Sequence, residues 1–135
     1  MNRSTTHIRK DVGLLLIRIA IGGSMIAFHG IPKLLKGPEN WEKVGTAMHK
    51  IGITFMTSFW GFAAIAAETV GALLIIIGLF TRPTALVLAF TMLIAFIFHL
   101  ANGDSIATSS HALELLFIFT ALAITGAGKY SIDKK

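Results

Sequence analysis

The fold class predicted by the sequence is an all-α transmembrane four-helix antiparallel bundle, with a short interfacial helix in the first outer loop. Three observations predict it. Hydrophobic residues make up 54% of the 135-residue chain, above the roughly 45–50% of a soluble domain. Charged residues are 14%, too few to cover a soluble globule of this size. The apolar residues also fall into four runs of about the 20 residues that a lipid core demands.

The first run, "VGLLLIRIAIGGSMIAFHGIPKLL", covers about residues 12–35. Its basic start would suit a secretory leader, but Arg18 interrupts the apolar stretch and no small-x-small site follows, so an uncleaved span is expected. The second run covers about 56–80 and ends at the turn-forming "TRP". The third, about 83–101, opens with Pro83, where a missing N–H does no harm. The fourth, about 111–128, closes on glycines suited to a helix C-terminus. The brief joints at 81–82 and 102–110 make neighbouring helices antiparallel. The longer joint, 36–55, reads as interfacial, with a short amphipathic helix around Trp41–Ile51. The whole chain, 1–135, is expected to form one membrane domain.

Seven basic residues gather at one end: Arg3, Arg9, Lys10, Arg82, Lys129, Lys134 and Lys135. Four gather at the other, Lys33, Lys36, Lys43 and Lys50. The bias predicts cytoplasmic termini. These cations flank apolar runs and form no basic stripe, so the net charge of +5 points to headgroups and not to nucleic acid. Cysteine is absent, which excludes disulfides, thiol redox chemistry and thiolate metal ligation within this chain.

The stretch "WGFAAIAAETVGALLIIIGLF" carries a single charge, Glu68, near the middle of the second span. Such a carboxylate costs about 2.5–3.5 kcal/mol and must face the bundle and pair. Arg18, about a third of the way up the first span, is the expected partner, in a buried ion pair supported by Thr91 or Thr69. Small residues surround each charge at helical spacing: Gly61, Ala64, Gly71 and Ala72 around Glu68, and Gly22 near Arg18. Such a pair can simply fix helix register.

A second polar layer is expected at the outer surface, formed by His29, Lys33, His99, His111 and Glu114. Histidines beside a carboxylate can relay protons, two on facing helices can ligate haem iron, and a His–Lys rim can hold a quinone carbonyl or an anionic headgroup. No HExxH, CxxCH, EF-hand or glycine-rich nucleotide loop is present, so no metal site is assigned and each histidine can equally be solvated on its own. Trp41, Trp60 and Tyr130 suit the aromatic belts of the two interfaces.

Ordered along the chain, Arg18, Gly22 and Gly23, then "GIPK" with Gly30 and Lys33, then "ETVGALLIIIGLFTR", then His99, then "GAGKYSID", make the sequence resemble the DoxX family of small four-helix bacterial membrane proteins. Ala127 and Lys129 depart from the family's Gly-Pro-Gly-Arg ending. The resemblance implies an inner-membrane protein linked to sulfur-compound oxidation feeding quinone or to oxidative-stress complexes, and it carries over no catalytic residue. The function expected is an accessory subunit of a redox or stress-related membrane assembly that contacts quinone, haem being a less favoured cofactor, with a membrane or periplasmic protein as partner. The alternative is a non-enzymatic scaffold or chaperone-like partner with no cofactor.

Overall fold

A computed structural model describes residues 3–133. Among these most of the chain is helical, with no strand. Four helices are long and apolar enough to cross a membrane: Thr6–Leu35, Thr57–Ile77, Thr81–Ala101 and Ile106–Thr125. Lys134 and Lys135, counted in the charge bias, lie outside the described residues.

Both of the first two spans are interrupted by a π turn. The first is α1 (Arg3–Met25), a π turn (Ile26–Gly30) and α2 (Ile31–Leu35). The second is α4 (Thr57–Ala66), a π turn (Ala67–Gly71) and α5 (Ala72–Ile77). The third and fourth are α6 (Thr81–Ala101) and α7 (Ile106–Thr125). Buried Met25, Ile75, Leu88, Phe119 and Leu122 form the core between the spans, while Leu16, Phe28, Phe62, Leu86, Phe117 and Ile124 point outward from it.

Several ends differ from expectation. Helix α7 begins at Ile106, five residues before His111, because the Ser105 hydroxyl caps it by accepting from the Thr108 amide at 3.2 Å. Helix α5 stops at Ile77, where Gly78 takes a left-handed conformation with φ of 70°.

The joint after α2 holds α3 (Pro38–Gly45) and a three-ten turn (Thr46–Ile51), close to the expected interfacial helix. It does not lie apart on the surface. Helix α3 packs directly along α4, and the closeness requires glycine on both sides. A Cβ at Gly45 would run into the Thr57 carbonyl, and one at Gly61 into the Trp41 carbonyl. The polar joint therefore covers the first turns of the second span and walls in the space beside them.

Candidate functional site

The expected contact between Arg18 and Glu68 is not formed. Both side chains are buried, at 1% and 2% exposure, but they lie in separate layers with separate partners. The reason is side-chain direction. Helix side chains tilt toward their own N-terminus. The first span runs away from the termini, so Arg18 reaches back toward the end of the bundle that carries the termini, away from Glu68. Lys33, fifteen residues further on, tilts the same way and reaches down into the bundle toward Glu68.

Arg18 makes four hydrogen bonds to main-chain carbonyls. Its Nε donates to Ile75 at 2.8 Å and its Nη2 to Ile76 at 2.7 Å, the last turn of α5. Its Nη1 donates to Ala127 at 2.7 Å and to Tyr130 at 2.8 Å, in the C-terminal tail. Carbonyls at a helix C-terminus lack intrahelical partners and carry the negative end of the dipole. A guanidinium, with five donors in a rigid fork, satisfies several at once. Gly78 makes room for it, since a Cβ there would stand 2.7 Å from Nη2.

The tail completes this knot. Asp11 accepts from the Lys129 amide at 3.0 Å. Asp133 accepts from the amides of Phe80 and Thr81 at 2.7 and 2.8 Å, at the start of α6. Partial desolvation pushes the Asp133 carboxyl up, but the Thr81 and Phe80 amides and the Arg18 charge outweigh it and hold the group below its ordinary range.

At the far end, Glu68 pairs with Lys33. The Lys33 ammonium donates to Oε1 at 2.8 Å and to Oε2 at 2.7 Å. The two π turns meet here: a Cβ on Gly30 would fall 2.8 Å from the Glu68 carbonyl oxygen. Only glycine permits this approach, and it brings the first span close enough for Lys33 to reach. Thr69 and Thr91, the expected supports, bond instead to carbonyls of their own helices, at Ile65 and Val87.

The pair forms part of the wall of a cavity of about 460 Å³. Ala63, Ala64, Val87, Phe90, Ile94 and Phe98 supply apolar wall from the second and third spans, Asn40 and Lys43 come from α3, and Lys36 and His99 complete the polar part. Asn40 is oriented by donating from Nδ2 to the Lys33 carbonyl at 3.0 Å. Trp60 also lines the cavity, and its indole Nε1–H is buried with no hydrogen-bond partner.

The other members of the expected outer layer separate into independent contacts. His29 and His111 meet with their Nε2 atoms 3.1 Å apart. Their ring centres are 5.2 Å apart, so the excess over the nitrogen separation is only what two ring radii occupy, and the imidazoles meet end to end. One Nε2–H then donates to the other ring. His99 Nδ1 pairs with Asp104 Oδ2 at 2.6 Å near the end of α6. Glu114 is exposed. Among the described residues no group of three or more histidine, aspartate or glutamate side chains could hold a metal ion. Sequence reasoning missed the cavity and the covering role of α3; the paired glycines at 45 and 61 were the available signal.

Comparison with known proteins agrees with this architecture. The DoxX family model matches residues 13–100, which include Arg18, Lys33, Glu68 and His99. The chain is 45% identical over 135 aligned residues to "Inner membrane protein YqjF" of Escherichia coli, covering 93% of this chain and 92% of that protein. It is 29% identical over 134 residues to "Inner membrane protein YphA" of the same organism, covering 93% and 91%. It is 30% identical over 133 residues to an uncharacterized protein of Haemophilus influenzae, covering 90% and 89%. No solved structure matches the chain significantly. On this family match and these full-length similarities, the chain belongs to the DoxX family.

Proposed function

We propose that this protein is an accessory subunit of a redox or stress-related assembly in a bacterial inner membrane, and that it receives a quinone in the cavity beside Glu68 and Lys33. Two relatives carry "inner membrane" in their names, and the surplus of basic residues near the termini supports placing both termini in the cytoplasm. The cavity then opens toward the periplasmic half of the bilayer, where a membrane or periplasmic protein partner would meet it.

One observation carries this reading: a charged, hydrogen-bonding pair is set into the wall of an otherwise mainly apolar cavity within membrane-spanning helices. Sites for small lipophiles combine such walls with a few placed polar groups. A pair needed only to hold helices together would be expected to fill its own space. Arg18 favours the scaffold reading for the opposite end, because its guanidinium is used entirely on main-chain carbonyls.

The test is to purify the full chain from native membrane under mild conditions, extract it with organic solvent, and record ultraviolet–visible spectra of protein and extract. Quinone close to one equivalent, lost in a variant with Ala64→Trp filling the cavity, supports the reading. Wild-type protein free of quinone, haem and flavin leaves the scaffold.

A further inference from the structure

We infer that the outer rim of the cavity, formed by Lys36 and Lys43, seats the phosphate of an anionic phospholipid, with one of its acyl chains laid along α6. The inference uses polar groups other than those given to the quinone and does not rest on that reading.

Charge is unevenly divided around the cavity. Three ammonium groups line it, Lys33, Lys36 and Lys43, against one carboxylate, Glu68. Lys33 occupies both oxygens of Glu68, and among the described residues Lys36 and Lys43 form no salt bridge. The local sequence produces this surplus. Asn40, Lys43, Val44 and Ala47 recur at three- and four-residue spacing, so one face of α3 and the turn after it lines the cavity. Glu39 and Glu42, the acidic residues of that segment, are exposed and line no part of it. The close approach at Gly45 and Gly61 fixes which face of α3 meets α4, and with it this rotation. A neutral ring leaves two cations without a counter-charge; an anion supplies one.

Depth and shape identify the body attached to that anion. Lys36 follows directly on the first span, which ends at Leu35, and Lys43 lies in the joint, so both stand at the level of lipid headgroups. Below them Val87, Phe90, Ile94 and Phe98 form an apolar stripe on α6. Phe98 and Val87 are eleven residues apart, about 16 Å along the helix. That is close to one leaflet of a hydrocarbon core about 30 Å thick. Val87 and Phe90 are 55% and 51% exposed, so the stripe runs out onto the lipid-facing surface and a chain reaches it from within the bilayer. A phosphate at the rim with a chain of leaflet length below it describes a bilayer lipid.

The test uses the full chain in neutral detergent at low salt, with thermal melting followed as lipid is titrated. Lipid that binds the folded protein raises the melting temperature with its concentration. Dimyristoyl phosphatidylglycerol should do so, and phosphatidylcholine with the same chains, whose headgroup adds a cation, should do so far less. Lys36→Gln with Lys43→Gln changes two exposed, unpaired side chains. It should melt like wild type without lipid and need about tenfold or more phosphatidylglycerol for the same shift. Lys50→Gln with Lys129→Gln removes the same charge outside the cavity lining and should respond like wild type. Equal response to the two lipids, or equal weakening in the two double variants, overturns the inference in favour of diffuse attraction. A shift produced equally by inorganic phosphate or by laurate overturns the phospholipid in favour of a free anion or a fatty acid. None of these readouts involves quinone, so the failure of either reading is distinguishable from the failure of the other.

Discussion

At the end of the bundle that carries the termini, Arg18 directs four donors at four carbonyls, and the Asp11 and Asp133 carboxylates pin the tail around it. At the far end, Glu68 shares its two oxygens with one ammonium that is a third exposed and still has a donor to give. Both arrangements place a charge inside a membrane-spanning bundle at considerable cost. In the first, the local valences are closed by main chain, which cannot leave. In the second, hydrogen-bonding capacity remains and faces a cavity. A closed polar cluster suits a structural joint, and an open one suits a site. Chemistry on this chain is therefore sought at Glu68 and Lys33 and not at Arg18.

Five expected outcomes break or sharpen that contrast. The largest belongs to Arg18→Met, which removes four hydrogen bonds to carbonyls where three segments converge. It should cost at least about 3–5 kcal/mol, as for a broken buried pair, and thermal melting in detergent should show little folded protein. Arg18→Lys should rescue it only in part, because three donors cannot serve four acceptors in a planar fork.

Next in size is Gly78→Ala. The residue adopts φ of 70°, strained for alanine by about 1–3 kcal/mol, and its Cβ would press on Nη2 of Arg18. The melting temperature should fall markedly, with the tail becoming accessible to carboxypeptidase. Glu68→Gln ranks below both. Lys33 keeps one acceptor and access to solvent, so the loss should be about 1–3 kcal/mol. If Glu68→Gln proved as damaging as Arg18→Met, the far end would be a closed structural joint after all.

The smallest effects are a pH response and a surface contact. Asp133 titrates below its ordinary range when folded. Its contribution is therefore complete at neutral pH, and it is lost as pH falls below about 3.9 and through the folded value. Hydrogen exchange should then increase at residues 126–133 before it does at the far end. His99→Ala removes a pair whose side chains are 36% and 40% exposed, and should change stability by less than about 1 kcal/mol.

Much of this was legible in the sequence. Four spans, short joints and a helix within the first loop follow from apolar run length and punctuation alone. That Arg18 and Glu68 are buried follows from the cost of charge in lipid. Their partners did not follow, because estimating depth from residue counts assumes that every span starts at one level. The first span is 30 residues long and the second 21, so equal counts do not give equal depths, and the N-terminal tilt of side chains sends Arg18 one way and Lys33 into the bundle. The tail's role was hidden for a different reason: main-chain carbonyls are acceptors that no residue letter displays. The end-to-end contact of His29 with His111 depends on rotamers, which spacing does not specify, although the sequence places both in one layer.

The most direct measurement is a pair of double-mutant cycles on thermal stability in detergent, one joining Lys33→Met with Glu68→Gln and the other joining Arg18→Lys with Glu68→Gln. Residues in contact couple by about 0.5–3 kcal/mol, and independent sites add within about 0.3–0.5 kcal/mol. Coupling between 33 and 68, with additivity between 18 and 68, is the predicted result. Strong coupling between 18 and 68 would mean that the two charges meet, and would contradict their assignment to separate layers.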